Sequence, residues 1–342
     1  MFRLKHLTLP LGALVLFAVD ANALETYDSA TIREDLSNAE NMISPTETPF
    51  VSLICGTGPA ATNTKVEWPM LELSAVDNNN RVAEGQDAPG ANAPDVAFRR
   101  ANYTQISDKV VKVSDTSQQV DGAASIEKLA KQISYKLKEY KRDKETMITS
   151  SVPAIPGAAV GATVRQAAGF GAFLITGGLR GAVTGAAPTL SGGTSGYPNV
   201  GPVAGTLRAL TEDLLNTCIQ GIWTQGGEPK YVLLSPINKR LISKTFTGYA
   251  TKYKSADDKK LVNSIDVYES DFGQVQIVPD RFSPAPDVFV IDPDYVDMIN
   301  LQPTRQLPLA RTGHTENRLI QGEYTLRVGN EKAEGVIADT TG

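Results

Sequence analysis

The chain has 342 residues, a formal net charge of −5 at pH 7, 41% hydrophobic residues and 21% charged residues. This composition is ordinary for a globular protein and excludes wholesale disorder, and the length suffices for one large hydrophobic core or two smaller ones. The basic residues do not gather into blocks, which disfavours a dedicated nucleic-acid-binding surface because phosphate neutralisation needs clustered cations. The chain has only two cysteines, which disfavours a disulfide framework and a CxxC metal pair. It has only two histidines, which disfavours histidine-based catalysis.

The first 23 residues have the pattern of a secretory signal peptide. A basic start is followed by an apolar run over residues 7–19, and Ala21-Asn22-Ala23 fits the small-x-small cleavage rule. The run is short for a membrane span. Residues 1–23 therefore predict either an export signal or an extension upstream of the folded protein.

The segment from Ser44 to Phe50 contains two prolines, Pro45 and Pro49. Each proline restricts its own backbone and pushes the preceding residue towards an extended conformation. The segment is therefore predicted to be an arm lying on another surface, rather than a core element.

Residues 63–113 have the pattern of a long two-armed hairpin. One arm is centred on residues 65–68, and the returning arm runs from Phe98 to Val113. Between them, residues 77–94 are rich in turn formers and poor in large apolar side chains. Such a tip cannot build its own core, so the loop is predicted to project and to dock elsewhere.

A charged amphipathic helix is predicted from Ser125 to Thr149, on the order of 35 Å long at 1.5 Å per residue. Its apolar stripe has the 3.6-residue period and consists of Ile126, Leu129, Ala130, Ile133, Leu137, Tyr140 and Met147. Five cations and three carboxylates are interleaved along it, namely Lys136, Lys138, Lys141, Arg142 and Lys144 with Glu139, Asp143 and Glu145. This mixture predicts a salt-bridged, exposed face rather than a nucleic-acid surface.

A tract rich in Gly and Ala follows over residues 153–205. Its part from Arg165 to Arg180 carries enough apolar residues to pack against another element. Its part from Gly181 to Gly205 has the composition of a flexible surface loop.

A more regular α/β segment follows this tract. A helix is predicted over 206–224, a strand at Tyr231–Leu234 and a second helix capped by Ser235. A hairpin is predicted around 271–273 and a buried strand at 288–291, and the C-terminal stretch alternates at Tyr324, Leu326 and Val328.

No segment combines residue types into a catalytic site. Glycines at 56 and 58 with Lys65 downstream lack the spacing of a phosphate-binding loop, and His314 lies in a polar turn. The paired aspartates at 257 and 258 adjoin two lysines, which indicates a solvated charged loop, and Asp292-Pro293 indicates a turn. We therefore predict no catalytic residue, no cofactor, no metal and no enzymatic activity.

The order of several short segments resembles a known family. The segments are Thr26-Tyr27-Asp28, Arg33-Glu34-Asp35-Leu36-Ser37, Ile43 to Phe50, Glu67-Trp68, Glu84-Gly85, Asn102 to Ile106, Tyr231 to Lys239, Val267 to Gly273 and Asn330 to Ala333. Together they resemble the major capsid proteins of tailed bacteriophages, specifically the SU10-type major head proteins, from about residue 24 to the C-terminus. No single segment is diagnostic, whereas the ordered set is specific.

The resemblance implies an α+β, HK97-like capsid fold with an N-terminal arm, an extended β-hairpin loop, a peripheral domain with a long spine helix, and an axial domain. The implied boundaries are 1–23 for the leader or upstream extension, 24–60 for the arm, 61–108 for the extended loop, 109–205 for the peripheral domain with its Gly/Ala-rich insertion, 206–300 for the axial domain and 301–342 for C-terminal strands returning to the peripheral domain. The arm, loop and rod make sense in such a fold because neighbouring subunits supply the missing contacts.

The resemblance also implies what the protein does and what it meets. Copies would assemble as hexamers and pentamers of an icosahedral virion shell around double-stranded DNA, without sequence-specific DNA binding and without a membrane. Assembly would take place in the host cytoplasm, with scaffold, portal and decoration proteins as further partners, and a functional export signal would conflict with this. Candidate inter-subunit contacts are Pro45, Pro49, Arg81, Glu84, Asp87, Lys254, Asp257, Lys259 and Lys260. Two alternatives are a nanocompartment shell of the same fold with protein cargo, and an exported enzyme dependent on His314.

Overall fold

The structure is a computed structural model, and it describes residues 44–54, 58–87, 94–120, 128–158, 163–246 and 266–341. The helices are α1 (Pro49–Ile54), α2 (Asp115–Gln119), α3 (Leu129–Ile148), α4 (Glu212–Thr224) and α5 (Pro236–Thr245). The strands are β1 (Lys65–Met70), β2 (Phe98–Tyr103), β3 (Gln105–Ser114), β4 (Gly178–Leu179), β5 (Thr189–Gly192), β6 (Ser195–Val200), β7 (Arg208–Ala209), β8 (Tyr231–Leu234), β9 (Val267–Ser270), β10 (Gly273–Pro279), β11 (Val288–Ile291), β12 (Val296–Pro308), β13 (Thr315–Val328), β14 (Gly335–Ile337) and β15 (Thr340–Thr341).

A six-stranded mixed sheet organises the C-terminal half, in the order β4-β14-β11-β8-β10-β9. Its central strands β8 and β11 are short apolar runs that are almost wholly buried, because helices α4 and α5 cover one face and a second apolar cluster covers the other. The predicted strands at 231–234 and 288–291 and the hairpin of β9 and β10 are confirmed. Ser235 caps α5 as predicted, since its hydroxyl accepts from Asn238 N at 3.4 Å.

A three-stranded antiparallel sheet, β12-β13-β3, supports the long helix α3. Val111, Val113 and Ile320 of this sheet form a cluster with Tyr140 of α3. The predicted rod is confirmed from Leu129 to Ile148, and residues 125–127 of the predicted start lie outside the described residues. The alternation at Tyr324, Leu326 and Val328 is also confirmed, with all three buried.

The predicted hairpin is correct for its first part and wrong for the rest. β1 and β2 pair antiparallel from Lys65↔Tyr103 to Met70↔Phe98. Beyond Tyr103, however, the returning arm leaves this ladder, and β3 pairs with β13 instead. Thr104 marks the change, because its N–H donates to Thr64 O at 2.8 Å while its hydroxyl donates to Glu323 at 2.6 Å.

The prediction of a flexible loop over 181–205 is wrong. Strands β5 and β6 form a hairpin there, and β6 joins β2, which gives a four-stranded sheet in the order β1-β2-β6-β5. The Tyr197 ring lies 5.0 Å from the Tyr103 ring, and Ala154 N donates to Pro198 O at 2.8 Å. The small residues of the tract permit this close approach of backbones, which composition alone does not distinguish from flexibility.

The predicted helix over 206–224 begins later than expected. Helix α4 starts at Glu212, capped by Thr211, whose hydroxyl accepts from Leu214 N at 3.3 Å. The preceding residues form β7, which pairs in parallel with β15 near the C-terminus. Leu207 is exposed and is not part of the helix. Tertiary pairing has overridden the helical period there.

The prediction that residues 44–50 are not a core element is also wrong for the end of this segment. Phe50, Val51 and Ile54 of α1 are buried in the main hydrophobic cluster. The Phe50 ring lies 5.3 Å from that of Phe170, which in turn lies 5.3 Å from Phe289. Pro49 occupies the first helical position, where its missing N–H costs nothing, so the proline starts a helix.

A buried ion pair joins β2 to the C-terminal region, and we predict that its loss is costly. Arg100 and Glu331, both nearly buried, are 2.8 Å apart. Arg100→Ala leaves the carboxylate without its cation and should lower the free energy of unfolding by about 3 kcal/mol. The measurement is urea denaturation of dilute, unassembled subunits, followed by tryptophan fluorescence.

The neighbouring Arg99 provides the matched control. It is largely exposed and lies 3.9 Å from Glu67. Arg99→Ala should change stability by no more than about 0.5 kcal/mol. Equal losses for the two variants would contradict the assignment of the buried pair as the stabilising contact.

Candidate functional site

The root of the loop between β1 and β2 is held by three polar contacts. Trp68 of β1 donates its indole N–H to Val328 O at 2.8 Å, and the Arg100–Glu331 pair lies beside it because Arg100 is the register partner of Trp68 on β2. One step further out, Lys332 and Glu72 form an ion pair at 2.7 Å. The loop therefore leaves the body from a fixed direction, because both of its strands are bonded to the C-terminal region.

The loop itself has little internal support among its described residues, 71–87 and 94–97. Its two sides are joined where Asp95 accepts from the hydroxyl of Ser74 at 2.6 Å. Gly85 has a left-handed backbone conformation (φ +80°), and a side chain placed there would meet no other atom within 4 Å. Packing therefore does not hold this turn in place. Five large apolar side chains of this loop are each more than half exposed, namely Leu71, Leu73, Val76, Val82 and Val96.

The tip candidates Arg81, Glu84 and Asp87 are all exposed on this loop. Pro45 and Pro49 are half-buried and lie on or next to α1, away from the loop tip in sequence. Lys254, Asp257, Lys259 and Lys260 lie outside the described residues, as does the leader at 1–23. The described candidates thus fall into two groups, one on the loop between β1 and β2 and one at the arm.

The arm is anchored by a carboxylate that sequence reasoning placed on an exposed face. Glu145 of α3 is fully buried, and its two oxygens accept from Phe50 N at 2.7 Å and Val51 N at 2.8 Å. Burial raises the pKa of Glu145 to about 7, against the lowering effect of these two N–H donors, and the nearby Asp280 raises it further. A buried acid therefore closes the first turn of α1.

Lys144 is a second correction to the predicted exposed face. Its ammonium lies 4.4 Å from the centre of the Tyr324 ring of β13 and 5.0 Å from that of Tyr140 of α3. Lys144 therefore packs on the side of α3 that faces the sheet. The sequence did carry a signal, because Lys144 stands four residues after Tyr140 on the apolar stripe. The remaining face has a salt bridge of the predicted kind, Lys136–Glu139 at 2.8 Å, whereas Asp143 pairs instead with Lys109 of β3 at 2.7 Å.

Of the residues considered for chemistry, His314 and Asp292 lie in described parts of the chain, whereas Gly56, Asp257 and Asp258 lie outside them. His314 is exposed and lies 3.4 Å from Asp115. Asp292 is buried and starts a turn as predicted, because its carboxylate accepts from Asp294 N at 3.2 Å. Within the described ranges, His, Cys, Asp and Glu do not gather in threes as a metal site would require. The same ranges contain no helix with the length and apolar character needed to cross a bilayer.

Comparisons with known proteins identify the class of this architecture. The chain is 26% identical over 351 residues to the major capsid protein of Escherichia phage Phieco32, covering 93% of this chain and 97% of the relative. It is similar to the solved Cyanophage A-1(L) capsid asymmetric unit, with a TM-score of 0.64, 11% identity and coverage of 94% of this chain and 99% of that one. It is likewise similar to a solved structure from Mycobacterium phage Bobi, with a TM-score of 0.57, 11% identity and coverage of 93% and 99%.

The fold is therefore that of the HK97-like phage capsid proteins, as predicted. The family model for the SU10 major capsid protein matches residues 20–341, and the chain belongs to that family. It is a structural subunit of a phage capsid and so of the virion, which assembles from many copies. The resemblance inferred from the ordered segments is confirmed.

The raised pKa of Glu145 predicts a pH dependence of stability. Its folded-state value of about 7 lies above the ordinary 4.5, so its stabilising contribution is complete below pH 4.5 and is lost as pH rises through 7. The stability of wild type relative to Glu145→Gln should fall by about 3 kcal/mol across this interval. The measurement is the free energy of unfolding of both proteins at pH steps from 4 to 8.

Glu139→Gln, on the outer side of the same helix, is the matched control for removing one carboxylate from α3. A stability difference between wild type and Glu145→Gln that stays constant from pH 4 to 8 would contradict the assignment of the buried acid as the source.

Proposed function

We propose that this major capsid protein forms hexamers and pentamers of a closed icosahedral shell that encloses double-stranded DNA. The observation that carries the proposal is the loop of residues 71–97, which leaves a firmly bonded root and exposes five large apolar side chains. Complete burial of one such side chain contributes about 1.5–3 kcal/mol, so the loop gains most when another subunit covers it. A head-to-tail contact of this kind generates rings when the rotation closes.

The proposed contacts at the loop tip are made by Arg81, Glu84 and Asp87. These exposed charges flank the apolar side chains of the same loop and would fix the register of the contact at little cost in desolvation. Pro45 and Pro49 would contribute through the arm, whose end is already pinned by Glu145. Lys254, Asp257, Lys259 and Lys260 are proposed for the axial contacts on the basis of their charge pattern alone.

The proposal extends to partners and place of action. Scaffold, portal and decoration proteins are the further partners, assembly occurs in the host cytoplasm, and the protein has no enzymatic activity. Membership of a family of structural capsid proteins supports the last point. The DNA is enclosed without sequence-specific contacts, in keeping with a net charge of −5 and the absence of basic blocks in the sequence.

Deleting residues 77–94 tests the role of the loop. The root contacts of Trp68 and Arg100 and the Ser74–Asp95 bond lie outside the deletion, so the subunit should fold with an unchanged melting temperature. It should nevertheless fail to close shells, because many modest contacts sum over the particle and each copy lacks one of them. Sedimentation velocity and electron microscopy measure assembly.

A variant with residues 77–94 replaced by a Gly/Ser linker of equal length separates the side chains from the mere length of the loop. This variant should also fail to assemble. Closed particles from either variant would contradict a contact role for the loop.

Particles purified from infected cells test the content of the shell. After nuclease treatment the particles should retain double-stranded DNA. The DNA would be seen as an ultraviolet absorption spectrum dominated by nucleic acid and as DNA released when the particles are denatured. Particles that retain a single protein species and no DNA would instead support the nanocompartment alternative.

A further inference from the structure

A charge-free segment runs from Gly181 to Leu207. None of its residues is Asp, Glu, Lys, Arg or His, although the 21% charged fraction of the whole chain would give about six charges in a segment of this length. Arg180 and Arg208 bound the segment on both sides. A surface segment without any charge is unusual, because soluble proteins normally cover exposed segments with mixed charges.

The charge-free segment is held firmly to the body of the subunit. The carboxylate of Asp339 accepts from Gly181 N at 2.9 Å and from Gly205 N at 2.8 Å, which closes both ends. Ala186 and Val203 exchange backbone bonds at 3.0 and 3.1 Å within it. The segment is therefore pre-organised, and a partner that binds it would lose little conformational entropy in doing so.

This ordered segment nevertheless exposes apolar side chains. Val200, Val203 and Leu207 are each about half exposed or more, and Val183 is 94% exposed. Val183 also has a φ of +82°, a left-handed conformation that is unfavourable for a β-branched residue and that glycine would adopt freely. Packing within the described residues does not account for a valine there, so the side chain is suited to a contact that the single subunit lacks.

We propose that the charge-free segment is a contact between two copies of this chain, in which it meets the same segment of another subunit about a local symmetry axis. In such an isologous contact residue i of one copy meets residue j of the other, and residues close to the axis, where we place Val183 and Leu207, meet their own counterparts, so a charge there would face a like charge. Like charges brought together cost several kcal/mol, whereas a partner of different sequence is usually selected by complementary charges. An uncharged, apolar, pre-organised surface fits the first case. The inference rests on the proposed shell assembly and adds a second contact to that of the loop.

The experiment places charges at Val183 and asks whether opposite charges restore assembly. Val183→Glu and Val183→Lys should each reduce the yield of closed shells at least tenfold, and an equal mixture of the two should recover most of it. Val183→Thr keeps the branched shape without a charge and should assemble like wild type. Melting temperatures should be unchanged because the side chain is exposed. Leu207→Glu and Leu207→Lys repeat the test at a second position.

The outcomes separate this inference from the shell function. Normal yields from both charged variants at both positions would overturn the inference and leave shell assembly intact. Loss of assembly without recovery in the mixture would also overturn it, since the segment would then meet a different surface. Failure of wild type to form shells at all would contradict the proposed function, and the inference with it.

Discussion

The buried carboxylate of Glu331 joins three parts of the chain that are remote in sequence. It pairs with Arg100 at 2.8 Å and also accepts from Ile175 N at 2.9 Å and Thr176 N at 3.3 Å. The root of the projecting loop, the middle of the Gly/Ala-rich tract and the C-terminal region thus share one acceptor. Because a buried charge is tolerated only when its partners are all in place, these segments must adopt their positions together. A loop that leaves from such a root has its direction fixed before any neighbour meets it.

Other buried carboxylates act in the same way. Glu145 connects the end of the arm to α3, Asp339 closes the two ends of the charge-free segment, and Glu334 accepts from Asp292 N at 3.0 Å. Burial raises the pKa of Glu334 well above its usual range and that of Asp287 to about 6. Carboxyl groups that accept from backbone N–H groups can join segments without a matching cation at each junction.

The sequence predicted those elements whose stability is local. The rod of α3, the strands β8 and β11 and the Ser235 cap follow from periodicity and capping, which depend on residues a few positions apart. The path beyond Tyr103, the hairpin at β5 and β6 and the late start of α4 depend instead on pairing with β13, β2 and β15, and no local pattern encodes those partners. The burial of Glu145 was missed for the same reason, since its donors lie 94 and 95 residues away. Local patterns predicted the projecting loop and the arm, and the family resemblance interpreted them as parts of a capsid fold, whereas their anchoring contacts came only from the structure.

The bond from the Trp68 indole to Val328 spans 260 residues of chain. A ribosome adding about 5–20 residues per second needs roughly 10–50 s to make that stretch, and during this time the loop has no C-terminal anchor. A nascent or prematurely terminated chain therefore cannot present the loop in its fixed direction. Synthesis itself sets a checkpoint, because only chains extended past Val328 acquire the anchor that gives the loop its direction.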